Sequence, residues 1–199
     1  GLVKTEEQRQ QIYDVVLRET MRLSRLVNDM LELSRLQSGT ASLSRSVFAP
    51  LPLFNLIHET YSAYAEDYQQ TFVYDVPEDL PSVWGNPDRT QQVLIVLLDN
   101  AFKYTPEGGV VTLSACAEGD VVRVRVRDTG VGIPAADLPH VFDRFYKVDK
   151  SHHSKGTGLG LAIAYEIMKH LGEEMSVTSE PGQGSCFTFT LHIAQGSAE

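Results

Sequence analysis

Residues 5–37 contain neither glycine nor proline, and they carry Ile12, Val16, Leu23, Leu26, Met30 and Leu33 at steps of three or four residues or their sum. An apolar seam of that period restricts the segment to a long amphipathic helix of the coiled-coil type, because such steps keep one narrow stripe on one side. Glu19 fills the step between Val16 and Leu23, while Arg18, Arg22, Arg25, Asp29 and Glu32 occupy other faces. One helix cannot bury this stripe alone. A self-associating bundle is therefore expected ahead of a helix that merely lies on the following domain, since residues 40–46 are small and polar like a linker. Ser38-Gly39 supplies the helix stop.

After residue 46 the pattern becomes mixed. Ser46 to Phe48 reads as a short strand, Pro50 opens a helix that continues over Leu53 to Tyr68, and Thr71 to Val76 alternates as a strand. Asn86-Pro87-Asp88 starts a strongly apolar helix over Arg89 to Tyr104, which ends before Pro106. Val110 to Ala117 and Val121 to Arg127 alternate on a two-residue period around Glu118-Gly119-Asp120, the signature of a hairpin. A helix over Leu159 to Leu171, a strand at Met175 to Ser179, a Pro-Gly turn and a strand over Ser185 to Ile193 complete the chain. The expected fold class is α+β, with helices over one face of a mixed or antiparallel sheet.

Charge and composition narrow the function. Seventeen lysines and arginines against 26 acidic residues leave a net charge of −9 over 199 residues, so the basic face that a nucleic-acid partner needs is not expected. The longest unbroken apolar run, Val93 to Leu98, falls far short of a membrane span, and neither a span nor a signal peptide is read. Cys116 and Cys186 are expected as buried free thiols in a reducing compartment, with a single disulfide left open.

Several local patterns carry chemistry. In QQVLIVLLDNAFKYTP, residues 91–106, Asn100 and Lys103 are three apart on a helix and share a face, offering an amide oxygen for a hard cation and a point charge for phosphate oxygens. DTGVGIP, residues 128–134, follows a strand, so Asp128 sits where the sheet ends and two glycines permit close approach of a flat ligand; a buried carboxylate there accepts from an exocyclic amine. GTGLG, residues 156–160, opens a helix and exposes backbone N–H groups to an anion, although it is neither a Walker loop nor a Rossmann fingerprint. FDRFYKVDKSHHSKG, residues 142–156, gathers Arg144, Lys147, Lys150 and Lys155 in an acidic protein, as a mobile lid with Phe142, Phe145 and Tyr146 anchoring its base. PGQGSCFTFTL, residues 181–191, turns into a strand with Gly184 at the ligand edge. Taken singly, each has a plain structural alternative: a helix-surface amide and lysine, an Asp-Gly turn, a hinge, a solvated loop.

In this order the five patterns resemble the N, G1, F, G2 and final glycine boxes of sensor histidine kinases, within the gyrase, Hsp90, histidine kinase and MutL ATPase superfamily. RLSRLVNDMLELSRLQSG, residues 22–39, resembles the second helix of their dimerisation and phosphoacceptor domain. The resemblance implies a Bergerat-type α/β sandwich holding ATP and Mg²⁺, preceded by the coiled-coil helix. It divides the chain into that second helix at 1–38, with the first helix absent, a linker at 39–46, the ATP-binding catalytic domain at 47–194 and a tail at 195–199. It assigns Asn100 to Mg²⁺, Asn100 and Lys103 to catalysis, Lys103 and Lys147 to phosphates, Tyr104 to a place beside the nucleotide and Asp128 to adenine. Gly130 and Gly132 border the base; Gly156, Gly158 and Gly160 frame the phosphates; Ile133, Arg144, Thr157 and Leu159 complete the expected nucleotide site. The implied partners are ATP, a second copy of the chain through a helical bundle, and a response regulator receiver domain. The implied location is the cytoplasmic part of a parent protein anchored in the plasma membrane.

Two departures refine the reading. The family's phosphoacceptor His-Glu pair followed by proline is absent: only His58 precedes a glutamate, and Ala63 stands where proline belongs, so the pair reads as a coincidence. The chain is accordingly expected to begin after the phosphoacceptor helix and to lack the histidine that receives the phosphoryl group. The position four residues before Asn100, where hydrolysing relatives use glutamate to activate water, is Val96. That favours transfer to a docked histidine over rapid hydrolysis. A serine or threonine kinase of the same superfamily, and a scaffold that binds nucleotide without chemistry, are the alternatives.

Overall fold

The alternation over residues 110–128 forms the centre of a sheet in the computed structural model, which describes residues 5–39, 43–148 and 156–194. Strands β4 (Val110–Glu118) and β5 (Val121–Asp128) pair antiparallel with Val111 opposite Asp128 and Glu118 opposite Val121. Strand β2 (Thr71–Asp75) adds parallel to β4, β7 (Gly184–His192) antiparallel to β5, and β6 (Met175–Glu180) antiparallel to β7, which gives a mixed sheet of order β2-β4-β5-β7-β6. A two-stranded sheet joins β1 (Ser46–Phe48) to β3 (Val83–Gly85); β3 is too short to announce itself by periodicity and was not expected.

The two-residue period puts Val111, Leu113, Ala115, Val122, Val124, Val126, Phe187, Phe189 and Leu191 on one buried face. Helices α2 (Pro50–Asp67), α3 (Pro87–Tyr104) and α4 (Gly160–His170) cover that face. Helix α3 is the central element because Val93, Leu94, Leu97, Leu98, Ala101 and Phe102 form a continuous buried stripe, each large side chain contributing about 1.5–3 kcal/mol. Its start is set by Asn86, whose side chain accepts from the Arg89 N–H at 2.9 Å, with Pro87 in the first turn. Its end is held by Gln70, whose Nε2 donates to Phe102 O at 3.0 Å and also to Thr105 O. That contact spans 32 residues of sequence and left no trace in the pattern.

The opposite face of the sheet is open, and it corrects the expectation for the cysteines. Cys116 and Cys186 are free but only half-buried, because both fall on the outward register beside Arg123 and Arg127 rather than among the core valines. Arg123 and Arg125 pair with Glu118 at 2.6 Å each, and the Arg123 and Arg125 guanidinium groups, with Cys116, hold its carboxyl down at about 2.

Helix α1 (Glu6–Gln37) divides along its length. Ile12, Val16, Leu23 and Met30 are exposed, as a seam awaiting a partner helix would be. Leu33 and Leu36 are buried in the core of the following domain with Leu26 packed against it, so the lower end of the helix lies on that domain. Ser44 and Arg45, within the stretch read as a linker, are also held there: Asn86 Nδ2 donates to Ser44 O, and Arg45 donates to His170 O at 2.6 Å, satisfying the C-terminal end of α4.

Glu173, directly after α4, is a buried carboxylate that periodicity does not reveal. Its side chain, 2% exposed, accepts from Thr190 Oγ1 at 2.8 Å and from the His192 N–H at 2.8 Å, and lies 3.0 Å from His192 Nδ1. Buried donors left without that acceptor pay their full desolvation cost. Glu173→Ala is expected to lower unfolding free energy by about 2 kcal/mol; an unchanged urea midpoint would show that the cluster contributes nothing.

Candidate functional site

The site lies where β5, the C-terminal half of α3 and the loop before α4 meet. Asp128 closes the inward register of β5 and is 4% exposed. Its Oδ1 accepts from the Gly130 N–H at 2.8 Å and the Ser185 N–H at 3.2 Å, whereas Oδ2 has no hydrogen-bond partner among the described residues. Burial raises its carboxyl above the ordinary range, and the two amides and Arg127 draw it partly back.

Around Asp128 the backbone is packed so closely that side chains are excluded. A Cβ on Gly130 would lie 2.3 Å from Tyr104 O, and one on Gly132, at φ +69°, would lie 2.1 Å from Glu180 O. The Val131 N–H donates to Tyr104 O, tying the loop to the end of α3. Ser179 completes the socket: its Oγ accepts from the Ile133 N–H at 2.8 Å and donates to Gly184 O at 2.7 Å. Ser179 was missed, although a serine in the inward register after Met175 and Val177 is a signal that could have found it. A Cβ on Gly184 would lie 2.0 Å from Asp128 O, so the glycine lets β7 approach β5 beside the Asp128 carboxylate.

The second wall comes from α3 and the glycine loop. Asn100 is half-buried and its side chain makes no hydrogen bond among the described residues. Lys103 Nζ donates to Tyr104 OH at 2.9 Å, and a Cβ on Gly156 would lie 3.5 Å from the same nitrogen. The structure therefore brings Lys103 and the glycine loop together from positions 53 residues apart in sequence. Thr157 Oγ1 accepts from the Leu159 N–H at 3.3 Å, Leu159 is fully buried, and Gly160 opens α4 against Val96, whose Cγ1 would stand 3.3 Å from a Cβ. Valine at position 96 thus packs against the start of α4 and offers no base.

The lid segment is only partly described. Phe142 anchors it against Tyr165 and Phe187, at 4.9 and 6.3 Å between ring centroids, and Tyr146 OH donates to Asp137. Phe145 corrects the expected anchor, being 53% exposed with φ 61°, held by its N–H donating to Gly158 O at 2.9 Å. Lys147 is half-buried, and Arg144 is exposed with no ion pair among the described residues. Lys150, Lys155, His152 and His153 lie outside the described residues.

The family model for histidine kinase-, DNA gyrase B- and HSP90-like ATPases matches residues 85–195, the span that holds both walls of this site. The chain belongs to that family. A second model, the His Kinase A (phospho-acceptor) domain, matches residues 1–39. The chain is 39% identical over 181 residues to the sensor histidine kinase WalK of Bacillus subtilis (strain 168), a match covering 89% of this chain and 30% of that protein. It is 38% identical over 174 residues to the sensor histidine kinase RcsC of Escherichia coli (strain K12), covering 86% of this chain and 18% of that protein. Among solved structures, full-length ShkA in complex with AMPPNP superposes with a TM-score of 0.81 at 32% identity, over 98% of this chain and 41% of that one. The chain thus spans less than a third of the WalK relative and under half of ShkA. The resemblance to sensor histidine kinases and the α+β sandwich are both borne out. Among the described residues, no helix is long and apolar enough to cross a membrane.

Proposed function

We propose that residues 47–194 bind ATP with Mg²⁺ as the catalytic domain of a two-component sensor histidine kinase, and that residues 1–38 serve as the second helix of its dimerisation and phosphoacceptor domain. The observation that carries this reading is Asp128: a buried carboxylate with one oxygen held by two amides and the other without a partner among the described residues, beside Gly130 and Gly132, whose missing side chains let the loop close against the ends of α3 and β6. Such an oxygen suits the exocyclic amine of adenine. Asn100, with no partner among the described residues, offers its amide oxygen to Mg²⁺, which would neutralise charge on the phosphates.

In this proposal Gly130, Gly132 and Ile133 border the base and Tyr104 flanks the nucleotide. Lys103 and Lys147 stand at the phosphates, with Arg144 on the lid side. Gly156, Thr157, Gly158, Leu159 and Gly160 present backbone N–H groups where α4 begins. The γ-phosphoryl group passes to a histidine on a separate helix and from there to the receiver domain of a response regulator. Two copies pair through the exposed seam of α1, and the parent protein is anchored in the plasma membrane. The AMPPNP in the ShkA structure supports the nucleotide class.

Calorimetric titration with a non-hydrolysable ATP analogue tests the site. Binding is expected to require Mg²⁺ and to weaken at least tenfold in Asn100→Ala, the loss of one ligand to a charged group. A native chain that binds no analogue at millimolar concentration would end the proposal.

A further inference from the structure

One face of α1 carries Leu26, Asp29, Leu33 and Leu36 at steps of three, four and three, and the three leucines pack on the ATP-binding domain. Asp29 is the polar member of that row, and it meets the glycine loop: Thr157 Oγ1 donates to Asp29 Oδ2 at 2.9 Å. The same Thr157 oxygen accepts from the Leu159 N–H, so the carboxylate is attached to the turn that begins α4. Nearby, Glu32 accepts from Gln92 Nε2 at 3.0 Å and pairs with Arg89, which fixes the helix on α3.

We infer that Asp29 is a built-in competitor of nucleotide phosphate, occupying the phosphate loop with its own negative charge so that nucleotide binding and docking of the α1 turn at Asp29 oppose one another. The inference rests on the nucleotide reading of the site. A phosphate oxygen that takes the Thr157 hydroxyl must displace the carboxylate, and the two anions repel across a partly desolvated contact. Linkage makes the effect reciprocal: whatever factor docked Asp29 removes from nucleotide affinity, bound nucleotide removes from docking.

Asp29→Asn is the decisive variant, because asparagine keeps the size and the acceptor oxygen and removes only the charge. In calorimetry with AMPPNP and Mg²⁺ it is expected to bind about tenfold more tightly than the native chain, within the usual range of coupling between sites. In hydrogen exchange, amides of residues 26–33 are expected to exchange faster when the native chain binds AMPPNP and to show a smaller change in Asp29→Asn. A gain under threefold in a native background that binds AMPPNP would overturn the inference alone. Absence of binding by both proteins would instead remove the nucleotide reading beneath it.

Discussion

Asp128→Asn is expected to weaken binding of an ATP analogue by about 10- to 100-fold, the cost of losing a hydrogen bond to a charged acceptor, while the fold persists. The reason is geometric. Oδ1 is held by the N–H groups of Gly130 and Ser185, so the asparagine oxygen must stay there and its NH₂ takes the place of Oδ2. A donor then faces the donor of an exocyclic amine. Stability should not fall, since burial raises the Asp128 carboxyl above its unfolded value. A carboxyl raised in this way subtracts stability above its folded pKa, and the penalty disappears as pH falls below the unfolded value. Nucleotide affinity runs the other way: it should decline on acidification at a pH above that of an ordinary aspartate, about 3.9. Titration calorimetry across pH checks both parts. Native-like affinity in Asp128→Asn would show that this carboxylate recognises nothing.

Gly184→Ala should be among the most destabilising single substitutions, lowering unfolding free energy by about 3 kcal/mol or more. Its φ is +92°, and the added methyl would stand 2.0 Å from Asp128 O and 2.9 Å from Thr129 Cα. Both are backbone atoms of the central strand and its exit, so neither can rotate away. Gly182→Ala is the control: φ is +77°, but nothing lies within 4 Å, and only the left-handed penalty of about 1–2 kcal/mol applies. Urea unfolding of the two variants separates crowding from backbone strain. Equal losses would mean that the contact between β7 and Asp128 relaxes freely.

The long period-2 and period-3.6 runs were legible because they report burial of a face, which is local information. α3 and the β4-β5 hairpin emerge with their bounds almost unchanged, since Asn86, Pro87, Pro106 and Gly119 mark their ends chemically. Strand β3 was not legible, having three residues and pairing with β1 across 35 residues of chain. The outward placement of Cys116 and Cys186 was missed because apolar neighbours in a strand alternate faces, and composition averages over both. Ser179, Gln70 and Glu173 escaped notice since each is an ordinary polar residue until a distant backbone group is brought to it.

By itself the sequence determined the element types, the α+β class and the order of glycine, asparagine and aspartate motifs, for these depend on side-chain period and on the backbone freedom of particular residues. Only the tertiary structure decided that Oδ2 of Asp128 lacks a partner among the described residues, that Lys103 meets the Gly156 loop, and that Asp29 reaches Thr157 across 128 residues. Hydrogen bonds and charges act over a few ångströms of space without regard to sequence separation, so which groups are satisfied or opposed is set when the sheet and helices close.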